Sequence, residues 1–180
     1  MTKEYFVKNS MEKEVSKDYF VEDSMEKEFT KDDFMCIAIS EARKAYSLKE
    51  TPIGAVIVLN GRIVGRGYNM VELGNSAIYH AEVMAIQDAR RNIGNWRLIG
   101  CEMYVTMQPC FMCAGAIVNS RIKHIYVGAR HEKNGIVDKH NKFIEEYLRD
   151  NNVVVEFGIK NEECSTLLTN FFREKRKKLI

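Results

Sequence analysis

Two cysteines and a histidine–glutamate pair are the residues of this chain whose types and spacing could do chemistry. Cys110 and Cys113 lie three apart in Val105-Thr-Met-Gln-Pro-Cys-Phe-Met-Cys-Ala-Gly115. The proline before the first cysteine has no amide hydrogen to leave unpaired and suits a helix start. This spacing therefore presents two thiols from one first turn, where the helix N-terminus favours thiolate, the metal-binding form. Upstream, Tyr79-His80-Ala-Glu82-Val-Met-Ala-Ile86 reads as a second helix start carrying one imidazole and one carboxylate. One His and two Cys make three ligands, one short of a closed tetrahedral zinc site. That is the open arrangement of catalytic zinc, with water in the fourth position. Glu82 then stands beside that water as a proton carrier.

Two plainer uses of Cys-x-x-Cys compete. A redox pair predicts a thioredoxin-like strand and helix and leaves His80 and Glu82 unused. A structural zinc knuckle needs a fourth Cys or His at suitable spacing. Cys36, Cys101 and Cys164 are isolated, each in or beside an apolar segment, and read as core residues. The catalytic arrangement is the one that uses all four residues.

Several elements must position them. Thr30 with Asp33 is a near capping box for a first helix running to about Leu48, with Phe34, Ile37, Ala38, Ala42 and Ala45 at helical spacing. Gly54–Leu59 and Arg62–Tyr68 read as strands joined at Asn60-Gly61, a type I′ hairpin signal. A loop holding Asn69 and Gly74 leads to the helix His80–Arg91. A third strand, Glu102–Thr106, ends where the cysteine helix begins, and that helix stops near Asn119. His124–Gly128 and Val153–Phe157 are the fourth and fifth strands. Between them His131–Asn141 reads as polar loop and Lys142–Arg149 as helix. Glu162–Lys178 closes the chain as a helix with Leu167, Leu168, Phe171 and Phe172 on one face. Helical crossovers favour parallel neighbours. The expected fold class is α/β: three layers, α/β/α, around a five-stranded mixed sheet, with the zinc site where two helix N-termini point at one spot.

At 180 residues, 46% hydrophobic and 29% charged, the chain can bury one substantial core. No apolar run reaches the length of a membrane span, and the charged N-terminus does not read as a signal peptide. Five irregularly spaced cysteines argue against a disulfide framework and for a reducing cytoplasm. The net charge of +2 is uneven: residues 1–35 hold six of the 27 basic and ten of the 25 acidic side chains. The remainder is basic, most of all in Arg173-Glu-Lys-Arg-Lys-Lys178, so an anionic partner such as nucleic acid competes with a plain solvated helix end. Residues 3–16 recur as residues 17–30, with a truncated third copy from Lys31. Solenoids need several longer units, so residues 1–29 read as an N-terminal appendage and 30–180 as the domain.

From about Phe34 onward the chain resembles the bacterial tRNA adenosine deaminases, the TadA-type members of the cytidine deaminase superfamily. The resemblance is carried by Pro52-Ile-Gly-Ala-Val-Ile-Val, Gly67-Tyr-Asn69, His80-Ala-Glu-Val-Met-Ala-Ile, Asn95-Trp-Arg-Leu and Met103-Tyr-Val-Thr. It continues through Pro109-Cys-Phe-Met-Cys-Ala-Gly-Ala-Ile, Asn119-Ser-Arg-Ile, Val127-Gly-Ala and Phe171-Phe-Arg173. His-x-Glu followed by Pro-Cys-x-x-Cys is the zinc deaminase signature. The resemblance implies a cytidine deaminase-like fold, Zn2+ on His80, Cys110 and Cys113, and Glu82 as general acid/base. It implies Asn69 as a hydrogen-bond partner of the base, contact of Phe171, Phe172 and Arg173 with a tRNA anticodon loop, and a homodimer. Tyr79 and Ala81, flanking His80, complete the candidate substrate contacts.

The chain departs from the family pattern around substrate, not around zinc. Gln108 stands where Glu is usual, at a position that is not a ligand. Ile78-Tyr79 replace small residues before the histidine. Arg130-His-Glu-Lys-Asn-Gly-Ile-Val-Asp-Lys-His140 replaces an Asp-x-Lys-x-Gly-Ala-x-Gly-Ser type loop that contacts RNA. Asn151-Asn152 stand in place of Asn-His. Three functions follow: a wobble-adenosine deaminase of tRNA, a deaminase of a free base, nucleoside or other small amino-heterocycle, or a non-catalytic zinc-bound RNA-binding module. The retained Glu82 argues against the last. Because Thr30 gives the first helix its own cap, deleting residues 1–29 leaves zinc content and turnover within about twofold of the full chain. Loss of both in a soluble truncated protein would make the repeat part of the domain.

Overall fold

The computed structural model describes residues 28–133, 136–137 and 139–177. The tandem repeat before Glu28 and the expected helix end at Lys178 lie outside the described residues. Helix α1 (Lys31–Ser47) starts at a full capping box. The Asp33 amide donates to Thr30 Oγ1 at 3.2 Å, and the Thr30 amide donates back to the Asp33 carboxylate at 3.0 Å. Strands β1 (Gly54–Leu59) and β2 (Arg62–Tyr68) form the expected hairpin. Asn60 and Gly61 have φ of 50° and 74°, the left-handed pair that a type I′ turn demands. Helix α2 (Ala81–Ile93), strand β3 (Cys101–Met107), helix α3 (Phe111–Asn119) and strand β4 (His124–Ala129) follow.

The next stretch differs from the sequence reading. The expected polar loop contains a two-residue hairpin, β5 (Glu132–Lys133) with β6 (Ile136–Val137), and helix α4 (Lys139–Asp150) begins ahead of Lys142. Lys139 and His140 are exposed and Asn141 only half-buried, so that first turn carries no apolar periodicity to reveal it. Strand β7 (Val154–Phe157) and helix α5 (Asn161–Lys177) complete the described chain.

The main sheet runs β2-β1-β3-β4-β7. β1 is antiparallel to β2 and β3, while β3, β4 and β7 are mutually parallel. Alternation along the strands separates two cores. Ala55, Ile57, Met103, Val105, Ile125 and Val127 face α2, α3 and α4. Val56, Val58 and Tyr104 face α1 and the start of α5. The α/β/α layering and mixed sheet therefore match the reading from sequence. Two expectations of burial fail. Cys36 is exposed on α1, and Phe172 stays 40% exposed while Phe171 alone packs inward, edge-on to Tyr46. An apolar stripe wider than the groove between α1 and α5 leaves its outer residue in solvent.

What positions the site is the close seating of α2 on β2. A Cβ at Gly67 would collide with the Ala81 carbonyl oxygen and the Ala85 amide, and one at Gly65 with Ala85 and Ala89. The helix face set against them is alanine, with Ala81, Ala85 and Ala89 fully buried. Backbone thus lies on backbone, and the first turn of α2 has no freedom to slide. Gly67→Ala forces that turn outward at about 2 kcal/mol, the scale of core overpacking. We expect a fall in Tm together with weaker zinc retention against a competing chelator. Wild-type values of both would show that the close approach is not needed.

Candidate metal centre and adjoining pocket

His80 and Cys110 are the N-cap residues of α2 and α3, each with extended backbone, and Cys113 lies in the first turn of α3. Two helix N-termini thus meet. His80 Nδ1 stands 3.6 Å from Cys110 Sγ and 3.5 Å from Cys113 Sγ, and the three donor atoms all lie within 4.8 Å of one another. Tetrahedral zinc with bonds of about 2.0–2.3 Å separates neighbouring donors by about 3.6 Å. The donor set and its spacing therefore fit zinc. Among the described residues this is the one group of three or more potential ligands.

The electrostatics favour a cation. Cys110 is lowered to about 5, chiefly because the Cys113 thiol donates to it, with the α3 amides of Met112 and Cys113 helping against burial. Cys113 is raised by that same hydrogen bond, by burial and by the nearby Glu82 carboxylate. Glu82 is 3% exposed, and burial pushes its carboxyl up, with Cys110 adding to the rise. Two sulfurs and one carboxylate packed this closely repel one another as anions, and a divalent cation reverses the balance. A carboxyl raised from its ordinary range also sits nearer the pH at which it must both take and give a proton.

A cavity of about 260 Å³ adjoins the cluster, lined among others by His80, Asn69, Glu50, Glu72, Lys49 and Lys175. On the other side a hollow of about 310 Å³ is bounded by Cys110, Phe111, Gln108, His131, His140 and Asn141. Asn69, expected at the base, lies in the first cavity and is 6% exposed. Tyr79 is half-buried with its ring close over Gly74, where a side chain would have blocked it. Ala81, the next residue after His80, has its methyl fully buried in the core under α2, so only its backbone is placed to face the cavity. Phe171 is likewise 6% exposed, leaving Phe172 and Arg173 as the outward residues of that motif.

Three residues carry more than their sequence signal suggested. Gln108 is buried and takes the His131 amide on Oε1 at 3.0 Å while donating to Glu145 at 3.1 Å. Glu145 also pairs with Arg130 at 3.0 Å, and the Arg130 guanidinium lies 4.1 Å from the centre of the Phe157 ring. The amide at 108 is therefore matched to this chain, since a glutamate there would face Glu145 as a like charge. Lys175 reaches the His80 cavity from the last turn of α5, and Glu50 enters it from the end of α1. Lys175 belongs to the basic run already noted in the sequence, whereas Glu50 has no local motif that could have marked it.

The cytidine and deoxycytidylate deaminase zinc-binding region model matches residues 29–129, spanning all three donors and Glu82. The chain belongs to this deaminase family. It is a zinc-dependent deaminase, and curated relatives narrow the resemblance. A tRNA-specific adenosine deaminase of Streptococcus pyogenes serotype M1 is 43% identical over 81% of this chain and 85% of its own length. One from Bacillus subtilis strain 168 is 43% identical over 81% of this chain and 90% of its own. A solved structure from studies of tRNA:A34 deaminases at the wobble position superposes with a TM-score of 0.66 at 38% identity. It covers 75% of this deaminase and 98% of that chain.

Thiol reactivity tests the metal set. Burial pushes Cys101 up to about 11 and Cys164 to about 12, so neither thiol is ionised until the pH rises that far. In the native deaminase at pH 8, iodoacetamide should label the exposed Cys36 and spare Cys101 and Cys164. Cys110, exposed and lowered, should react only after zinc is chelated, while the buried and raised Cys113 stays unlabelled in the folded protein. Equal labelling of Cys110 before and after chelation would remove it from the ligand set.

Proposed function

We propose that the deaminase converts adenosine to inosine at the wobble position of a tRNA anticodon loop, with His80, Cys110 and Cys113 holding zinc and Glu82 moving the protons. The observation that carries this reading is 43% identity over four-fifths of the chain to relatives named tRNA-specific adenosine deaminases. Zinc, when bound, acts as a Lewis acid that brings the ionisation of water down toward neutral pH. Glu82 accepts the proton of the attacking water on its carboxylate and passes it to the ring nitrogen beside the attacked carbon. It then takes the proton of the hydroxyl now on that carbon and delivers it to the exocyclic amine, so that the C–N bond breaks, ammonia leaves and a carbonyl remains: adenosine and water give inosine and ammonia. Burial suits Glu82 to this relay, because a carboxyl drawn up toward neutral pH both accepts and donates.

Asn69 in the His80 cavity supports a base held beside the metal, and Lys49 and Lys175, which line that cavity together with Glu50 and Glu72, offer two cations to the phosphates of a looped-out nucleotide. Phe172 and Arg173 extend the same end of α5. Residues 30–180 act as the deaminase domain, with 1–29 an appendage. The enzyme is cytoplasmic, where its tRNA would be found. No described helix is long and apolar enough to cross a membrane. It works as a homodimer, supported by Phe111 and Phe143, whose tilted rings meet at 5.6 Å beside Cys110 while 45% and 58% exposed.

Ammonia release from a tRNA anticodon stem-loop, and separately from free bases and nucleosides, tests this reading. The stem-loop should be deaminated to inosine with affinity that weakens as salt rises. Glu82→Ala should lower turnover at least about a thousandfold, the scale on which a general acid/base acts, with zinc content unchanged. Turnover of a free amino-heterocycle and none of RNA would transfer the assignment to small-molecule deamination, the direction in which Tyr79 and the Arg130–His140 stretch depart.

A further inference from the structure

Glu50 is 1% exposed and has no place in the chemistry described so far. It lies 19 residues before Asn69, beyond the reach of any local motif. Its backbone is held by the end of α1. The Glu50 amide donates to the Ala45 carbonyl at 2.9 Å and the Lys49 amide to Tyr46 at 3.0 Å, with Lys49 at φ 64°. That pair of bonds is a Schellman motif, with lysine in the left-handed position where glycine is common. The carboxylate leaving this turn accepts from Asn69 Nδ2 at 2.9 Å and from the Leu73 amide at 2.6 Å.

A buried carboxylate is costly unless donors surround it. An ionised carboxylate accepts and does not donate, so the amide of Asn69 can meet it only through nitrogen. A side-chain amide in a neutral setting turns over easily; here its orientation is set by charge. The Leu73 bond ties the following loop to the same anion. That loop returns to the site through the Met70 amide on the Tyr79 carbonyl at 2.9 Å.

We propose that Glu50 is a positioning residue for substrate recognition, which fixes the Asn69 side-chain amide so that its Oδ1 and second N–H are left for the base in the His80 cavity. The proposal rests on the reading of Asn69 as a base contact. A paired acceptor and donor complements the N7 and N6 edge of an adenine, the pairing that Asn makes with that base elsewhere. Glu50 thereby decides which face of the amide the substrate meets, and it does so from the far end of α1 without touching the base.

A double-mutant cycle on the substrate that the wild type deaminates separates positioning from mere folding. Glu50→Gln puts one N–H against a donor and removes the charge that dictates the flip. It should raise KM about tenfold, within the range of coupling between contacting residues, with zinc content and Tm close to wild type. In an Asn69→Ala background the same change should alter kcat/KM by less than about twofold. Independent, multiplying losses would overturn the proposal, as would a loss of kcat alone with KM unmoved. Should Glu50→Gln fail to fold, hydrogen exchange of the 15N-labelled wild type decides. One Asn69 carboxamide proton should be protected and the other fast, and two equally fast protons would refute the clamp. Failure of the RNA assignment shows in the wild type alone, whereas failure of this inference shows in the cycle or the exchange pattern on whichever substrate is turned over.

Discussion

The constraint on which the structure depends is the gathering of two sulfurs, an imidazole and a carboxylate at one point, with Cys113 and Glu82 buried. Like charges held this near one another are unfavourable at any plausible interior dielectric. Cys110 and Cys113 consequently move in opposite directions from the ordinary thiol value, and Glu82 is pushed up beside them. Two features make the arrangement tolerable. The N-termini of α2 and α3 meet there, so the ends of two helix dipoles and the free amides of Met112 and Cys113 face the anionic groups. A zinc ion supplies the rest. Metal binding and the packing of these two helices therefore support each other, because the same donors take part in both.

That requirement explains features of the sheet which would otherwise look like weak choices. Glycine at 65 and 67 is unfavourable in a strand, and an alanine face on α2 buries little apolar surface. Both serve the distance between helix and sheet, and through it the place of His80. On the other side, β3 leads straight into Gln108 and Pro109, so the parallel pairing of β3 with β4 fixes where α3 begins. The Gln108 amide on the Ala129 carbonyl at 3.0 Å extends that pairing to the doorstep of Cys110. Gln108, Glu145 and Arg130 then hold the segment after β4 against the same spot.

The chemical centre was legible because it is local. His80-x-Glu82 and Pro109-Cys-x-x-Cys113 each lie within one helix start, and the residue types leave few alternatives. The strands were legible for a similar reason: short apolar runs and the Asn60-Gly61 turn are short-range signals. The rest of the site is built from long-range contacts. Glu50 and Asn69 meet across 19 positions, Gln108 and Glu145 across 37. Nothing in the spacing of either pair announces it. Ala81 shows the converse: beside a ligand in sequence, its side chain turns into the core, because the helix that presents His80 must bury the next residue to seat itself. Cys36 reads as core by composition, yet it falls on the outer side of α1.

The departures from the family pattern can be sorted by what the fold does with them. Tyr79 is the nearest to the metal, yet its ring is taken up by Gly74, so a bulky residue next to His80 need not displace the imidazole. The bond from the Met70 amide to the Tyr79 carbonyl keeps the backbone in place whatever the side chain. Gln108 is likewise absorbed, because Glu145 supplies the acceptor that an amide needs and a carboxylate would repel. Both changes are compensated within the domain and leave the donor geometry as it stands. The stretch after Arg130 is different. His131 and His140 line the hollow beside Cys110, where His131 is held through its amide by Gln108 and through its ring nitrogen and carbonyl by Asn141. The β4–α4 connection borders the hollow beside Cys110 and the end of α5 the cavity beside His80, so these departures lie around the two helix starts and not among the zinc donors.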